Sequence, residues 1–510
     1  METITAAVTR QARDRPRSIA LIDGTTRLSW AEVKTWMDRS AGWLLGLGLP
    51  RGSTVLGWLP NCAEWYLVRL ACEQAGLFWI PVPASQGPRE FASIMERTQP
   101  AVLFTKSRFR DRDYLADTEK IFARIGGSPI RVTLPESGLL ALAGQPADGT
   151  QAMRFEEPVH ALPTTGSEGV PKIAVYTLGA ACERAHAQST LLRLTPEDIL
   201  LVLSPGVGPA RAAWLASPVA GSCIVSMPVF KTGAALDLIT RDKATIVCGT
   251  PAQLTMLAAK LKTVDASSVR IWYTAGSVIP HSLADQLESS TRGIVVSTYG
   301  GADFGGWAAP SISDAPEVRH RTVGRPRGGT EFRVVDADGN DLRHGEVGEL
   351  IGRGPCCVSG FIGEAGRDRW RNGWFHSADL ASFDDAGNIV IVGRLNEIIV
   401  RGGDKVGPAE VEGLLRTLPG IAQVAVVGVP DPMLGERVCA YVVPEGENRT
   451  LDLERLRQHL RGQGLAPYKV PEQLVLLDAL PIVGDKIDRR ALQNAAAGNT
   501  TTLGIKPVIV

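Results

Sequence analysis

The sequence predicts an α/β fold: a large N-terminal domain of helix-covered β-sheets, a small antiparallel sheet after it, and a small C-terminal α/β domain. Three observations lead there. Helical and strand signals alternate up to about residue 325, as repeated crossovers require. Asp-Gly turns between apolar runs then take over, the mark of hairpins. From Glu397 the alternation resumes on a smaller scale.

Ser29 followed by Glu32 is a capping box, and Trp30, Val33, Trp36, Met37, Leu44 and Leu45 recur at helical spacing behind it. Gly46 and Gly48 end that helix, and TVLGWL from Thr54 is the next strand. AVLFT at 101, ILLVL at 199, ATIVCG at 244, IWYTAG at 271 and IVVST at 294 are short buried strands. Helical segments such as Glu64–Gln74 and Arg89–Arg97 lie between them, so helices cover both faces of the sheets. TEFRVVDADGNDL, GEVGELIGRG and DDAGNIVIVGR supply the hairpins. The C-terminal unit reads as strand IIV, helix PAEVEGLLRTL, strands VAVVGV and VCAYVVP, helix LDLERLRQHLR and strand QLVLL, with a boundary near Arg394–Glu397. The tail from Asn494 is small and polar and is expected to be mobile, its last residues excepted.

Composition narrows the function. The chain has 510 residues, enough for one large and one smaller domain at a typical size of about 150. Its 54 basic and 54 acidic side chains cancel, which argues against nucleic acid as the main partner. The most apolar stretch, Trp214 to Phe230, is broken by Pro218, Pro228 and three serines, so no membrane span is expected. The N-terminus has no basic start followed by an apolar run, so no signal peptide is expected. Eight scattered cysteines without CxxC spacing read as reduced, mostly buried thiols of a cytoplasmic protein. The same spacing disfavours structural zinc, and core packing accounts for the adjacent Cys356 and Cys357 better than a redox pair.

The most informative stretch is LPTTGSEGVPKIAVYT, Leu162–Thr177. Thr164, Thr165, Gly166, Ser167 and Gly169 precede Lys172. Glycines let backbone N–H groups face an anion, hydroxyls add donors and a lysine adds charge, so a phosphate cradle is one reading. A flexible surface loop of turn-forming residues is the other. Walker A is excluded, because Lys172 follows Pro171 and precedes Ile173.

That loop resembles the phosphate loop, roughly YTSGTTGxPKG, of the adenylate-forming superfamily of acyl-CoA synthetases, peptide-synthetase adenylation domains and beetle luciferases. STYGGADFGG (Ser297–Gly306) is similar to the family's aromatic-Gly-x-Thr-Glu segment, and GWFHSADL (Gly373–Leu380) to its GWxxTGD segment. GRLNEIIVRGGDKVGPAEVE (Gly393–Glu412) resembles its hinge-and-glycine motif, and LPIVGDKIDR (Leu480–Arg489) its C-terminal lysine motif. VVGVPDPMLGE, LAPYKVP and LPNCAEWYLVRLACEQAG match linking segments, and the order holds from about residue 16 to 490.

The resemblance implies a fold with a barrel-like antiparallel sheet and a mobile C-terminal domain: residues 1–394 for ATP and the acid, a hinge at 395–397, and 398–510 beyond it. It implies an ATP-dependent, AMP-forming ligase that joins a carboxylic acid to AMP and then passes it to a thiol. Lys486 is assigned to the charge built up on phosphorus during adenylation. Asp379 accepts the ribose hydroxyls, which suits an acceptor-only carboxylate. Arg394 reaches ribose or phosphate. Tyr299 and Gly300 face adenine, with Ala275, Gly276 and Ser277 as the other wall. Asp303 stands where the family has Glu beside the α-phosphate and Mg²⁺; a hard oxygen ligand is right for Mg²⁺, one methylene shorter. Asn396 matches the hinge, without its usual charge. Gly402 and Gly403 line the tunnel for the thiol arm, where a missing Cβ leaves room.

Departures bear on the substrate. Glu168 replaces a threonine in the phosphate loop and is unfavourable beside triphosphate unless turned away or paired. Ala302 replaces another threonine, as in some aryl-acid ligases of the family. Leu203–Ser222 is the expected wall of the acyl pocket, with small residues where many relatives carry histidine. No Asp occurs between Ile199 and Lys231, which disfavours an α-amino acid. Arg211 is expected to face outward, a second carboxylate on the acid or the acceptor being its other possible partner. Coenzyme A is the expected acceptor, with a carrier-protein phosphopantetheine arm or an amine as alternatives. A non-catalytic nucleotide-binding scaffold would read the departures as decay.

Overall fold

The computed structural model describes residues 1–136, 139–142, 144–146, 153–164, 172–204, 208–276, 279–397, 399–401, 404–446, 451–483, 486–496 and 508–509. The chain divides into two compact units, Met1–Phe332 with Gly352–His376, and Arg333–Ile351 with Ser377–Val510.

Two large sheets dominate the first unit. In the larger, the strands Ile294–Gly300, Ile271–Ala275, Ile246–Gly249, Ile199–Val202, Cys223–Ser226 and Ile19–Asp23 are parallel neighbours in that order. Trp307–Ala309 and Arg325–Arg327 extend it antiparallel beyond Ile294–Gly300. The other sheet runs Gly360–Phe361, Lys172–Thr177, Pro158–Thr164, Phe78–Pro83, Thr54–Leu59, Val102–Lys106 and Ile130–Leu134. Strands buried on both faces lose the apolar–polar alternation of half-exposed ones, and Phe78–Pro83 is buried at every residue.

Local chemistry sets the elements as the sequence implies. The helix Trp30–Gly46 begins at a two-way capping box of Ser29 and Glu32. The helix Ala63–Ala75 is buried along its whole length, and Arg69 lies 3.0 Å from Glu73 one turn on. Trp58 stacks on Phe91 at 4.0 Å beside the second sheet. Gly57, odd inside TVLGWL, is explained by its neighbour: a Cβ there would fall 2.2 Å from the Trp79 ring.

In the second unit, Trp374–Phe383 pairs antiparallel with Ile389–Arg394 from Asp379↔Arg394 to Phe383↔Ile389. A larger sheet there is ordered Asp404–Val406, Ile399–Arg401, Gly435–Pro444, Gln473–Leu476 and Val508–Ile509, with Ile421–Asp431 paired to Gly435–Pro444. Along Ile421–Asp431, Val424 and Val426 enter one apolar cluster while Ala425, Val427 and Val429 enter another. Period-two geometry divides a continuous apolar run between two faces. Helix Arg489–Ala496 is held by Leu492, which is fully buried and whose carbonyl accepts from Tyr441 at 2.9 Å; residues 497–507 lie outside the described residues. Val508 and Ile509 pair with Leu476 and Val475, as the exception for the last residues allowed.

Among the described residues the buried charge of this unit is Glu412, 3% exposed. It accepts from Val426 N at 2.8 Å and meets Arg489 at 2.7 Å, while Arg489 also lies 3.3 Å from Glu397. Removing one partner of a buried pair strands the other. Glu412→Ala should therefore lower the unit's unfolding free energy by about 3 kcal/mol. Urea denaturation with hydrogen exchange of the Ile421–Asp431 amides reads this, and the exposed Glu454→Ala serves as control.

Candidate functional site

The strands Pro158–Thr164 and Lys172–Thr177 are antiparallel, and their register sets Thr164 opposite Lys172. These two residues flank the candidate phosphate loop. Thr165, Gly166, Ser167 and Gly169, with Glu168, lie outside the described residues. In a strand, residues two apart share a face. Lys172 and Tyr176 use that spacing to reach consecutive residues of one distant segment. Lys172 Nζ lies 3.3 Å from Asp303 Oδ2, and Tyr176 Oη donates to the Ala302 carbonyl at 2.6 Å.

That segment is the tight connection from Ile294–Gly300 to Trp307–Ala309, paired through Tyr299↔Ala308 and Gly300↔Trp307. The amides of Phe304 and Gly305 both return to the Gly301 carbonyl, at 3.2 and 2.9 Å. Gly305 has φ +83°, and a Cβ there would fall 2.4 Å from the Cys356 carbonyl oxygen. At Gly301 an added Cβ would lie 2.6 Å from Asp303 Oδ1, so glycine leaves the carboxylate its room. Phe304, 2% exposed, anchors the turn by stacking on Phe375 at 4.8 Å.

Ala275 and Tyr299 sit at the carboxyl ends of neighbouring parallel strands, with Ala275 in register with Thr298. Gly276 follows at φ +96°; Ser277 lies outside the described residues. The half-buried Tyr299 ring meets Phe332 edge-on at 5.9 Å. Open parallel sheets bind ligands at this edge. The first unit thus joins an acceptor-only carboxylate, a lysine, a hydroxyl and an aromatic ring at strand ends, a set suited to a phosphorylated planar ligand. Among these residues Asp303 has the hard oxygens a divalent cation requires. A separate group, His281, Asp285 and His320, offers ligand atoms within 4.8 Å of one another; there the His320 ring is held between Asp285 and Glu288.

In the second unit Asp379 and Arg394 are cross-strand partners, Arg394 Nε donating to Asp379 Oδ1 at 2.8 Å. Ala378, at φ +55°, donates its N–H to Glu349 at 3.0 Å, and Ser377 Oγ accepts from Asp379 N at 3.0 Å. Asp379 is therefore a strand residue rather than a helix cap. Asn396 belongs to the short turn Leu395–Glu397, and Lys486 opens the second strand of a small hairpin opposite Val483. The side chains of Asn396 and Lys486, and all of Gly402 and Gly403, lie outside the described residues.

Arg211 corrects the sequence expectation. It is 4% exposed, not outward-facing, with its guanidinium 4.4 Å from the Tyr176 ring centroid and Nη1 donating to Tyr176 Oη at 3.1 Å. The helix Arg211–Ala220 is buried from its first residue to Pro218. Tyr176 and the buried Arg184 were not singled out in the sequence. A spacing of four from Lys172, an even step along the strand, was the available signal for Tyr176; Arg184 had none. Seven of the eight cysteines are buried and Cys357 is intermediate, with burial raising Cys356 to about 11 and Cys357 to about 12.

The chain is similar to known proteins over most of its length. A family model described as AMP-binding enzyme matches residues 8–362, and one described as AMP-binding enzyme C-terminal domain matches residues 410–484. Indoleacetate–CoA ligase of Aromatoleum aromaticum is 30% identical, over 93% of this chain and 94% of that protein. Feruloyl-CoA synthase of an Amycolatopsis species is 31% identical, over 93% and 95%. Salicyl-AMP ligase / salicyl-S-ArCP synthetase of Mycobacterium tuberculosis is 32% identical, over 98% and 92%. The fold matches ATP-bound MatB of Rhodopseudomonas palustris with TM-score 0.87 at 23% identity, over 97% of this chain and 99% of that one.

The turn at Gly305 can be tested alone. Gly305→Ala combines a strained φ with a backbone collision and should cost about 3 kcal/mol or more. Gly339→Ala, at φ +85° with nothing within 4 Å of an added Cβ, should cost only the strain, about 1 kcal/mol. Thermal and urea unfolding of the two variants measures the difference.

Proposed function

The chain belongs to the AMP-binding enzyme family, and from that premise we propose that it is an ATP-dependent, AMP-forming acid–thiol ligase with coenzyme A as acceptor. The observation that carries the reading is the meeting of Lys172 and Asp303, 131 residues apart in sequence, where the candidate phosphate loop begins its second strand. In the first half-reaction a carboxylate oxygen attacks the α-phosphorus of ATP, the bond to the bridging oxygen breaks, and pyrophosphate leaves. In the second, a thiolate attacks the acyl carbon, forming a thioester and releasing AMP.

Each residue's part follows from its chemistry. Lys172 and the loop of Thr164, Thr165, Gly166, Ser167 and Gly169 hold the phosphates by charge and N–H or O–H donors. Mg²⁺, held by Asp303, supplies charge neutralisation at the phosphates when bound. Tyr299 and Gly300, with Ala275, Gly276 and Ser277, enclose adenine. Asp379 accepts from the ribose diol, and its cross-strand partner Arg394 adds a cation. Lys486 stabilises the charge that grows on phosphorus during attack. Residues 395–397 are the hinge, centred on Asn396, about which 398–510 turns between half-reactions; Gly402 and Gly403 then line the thiol's approach. The ion pair of Arg489 with Glu397 supports the idea that movement at this turn carries Lys486 along.

A carrier-protein pantetheine arm presents the same thiol, and one relative at 32% identity has a name that covers loading of that kind. Free thiols, buried in seven cases of eight, support a cytoplasmic setting. No helix among the described residues is long and apolar enough to cross a membrane.

ATP–pyrophosphate exchange over a panel of aromatic, aliphatic and amino acids tests the reading. Exchange with an aryl or acyl acid is expected; tight ATP binding without exchange on any acid points to a scaffold instead. Product analysis with coenzyme A and a loaded carrier protein separates the two acceptors. Lys486→Ala should slow adenylation by roughly 100-fold or more while leaving transfer from preformed adenylate within a few-fold. Equal loss of both steps refutes the role.

A further inference from the structure

Two guanidiniums are buried beneath the Asp303 turn without a counter-charge among the described residues. Arg211 and Arg184 are 4% and 8% exposed, and neither has a carboxylate at ion-pair distance among the described residues. Arg184 lies 4.1 Å from the Trp307 ring centroid and donates Nη1 to the Gly305 carbonyl at 3.2 Å. With the Gln188 amide turned so that its oxygen faces Arg184, Nε and Nη2 bond it at 3.2 and 3.3 Å. Arg211 is worse served: beyond the bond to Tyr176, its Nε and Nη2 are buried with no partner among the described residues. His160, stacked on Tyr176 at 5.0 Å, adds no negative charge, and both its ring nitrogens are also without partners.

Guanidinium keeps its proton in proteins, so this charge cannot be removed by titration. An uncompensated buried cation is strongly unfavourable, and so is a buried donor without an acceptor. The shortfall lies beside the reacting end of the site. Arg211 bonds Tyr176, Tyr176 bonds the Ala302 carbonyl, and the next residue is Asp303 against Lys172.

We propose that Arg211, backed by Arg184, receives a second anionic oxygen group of the acid, a carboxylate or a phenolate far from the carboxyl that is activated. This rests on the ligase reading above. An acid of this class would supply the counter-charge that the described residues do not, which makes the pair a determinant of specificity. Burial, and then the neighbouring Arg211, lowers Arg184 to about 10, the sign expected of a cation placed among apolar groups and a like charge.

Matched pairs of aryl acids in ATP–pyrophosphate exchange test this. One arm compares a distal carboxylate with its methyl ester; the other compares a phenol hydroxyl with its methyl ether. In the wild type the acidic member of at least one pair should have a kcat/KM roughly 10- to 100-fold above its neutral partner. Which arm responds identifies the group. Arg211→Met should bring that ratio towards one, mainly through KM, and Arg211→Lys should keep part of it. A wild-type ratio near one in both arms overturns the inference by itself, with no variant needed, and leaves the ligase reading intact because exchange is seen. A ratio that Arg211→Met leaves unchanged also overturns it. Absence of exchange with every acid removes the ligase reading and this inference together.

Discussion

One strand face fastens the site. From Lys172–Thr177, Tyr176 holds the Ala302 carbonyl and Lys172 holds the Asp303 carboxylate, so two side chains four residues apart fix two consecutive residues of a distant turn. The Lys172–Asp303 pair, about a fifth exposed on each side, contributes little stability as a surface ion pair. The hydroxyl-to-carbonyl bond and the glycine-only approach at Gly305 carry the geometry instead. The pair is then free for another use: it sets a cation and a hard oxygen ligand side by side where a polyphosphate can meet both.

Much of this architecture was legible in the sequence. Parallel strands covered on both faces must be apolar runs, and those at 199, 246, 271 and 294 were visible as such. The capping box before Trp30 and the Asp-Gly hairpins were equally plain, because local chemistry alone decides them. Lys172 and Asp303 were identified through the motifs around them, not through any sign that they would touch. Contact across 131 residues is a product of sheet order, which no local pattern encodes.

The one misreading has a physical reason: charge usually means exposure, so the sequence places Arg211 at the surface. Yet its helix, RAAWLASPVA, has no polar face, and a helix apolar all round is buried together with whatever it carries. Tyr176 is a core aromatic, and only its hydroxyl partner reveals its second role. Leu492, fully buried, docks the last helix ahead of the tail.

The central claim is that Lys172, held at Asp303, is part of a nucleotide site. Calorimetric titration of the full chain with MgATP, wild type against Lys172→Met, measures it most directly. The account predicts that the dissociation constant rises about tenfold or more, as loss of a charge-assisted phosphate contact requires. Equal affinity in the two proteins would contradict it.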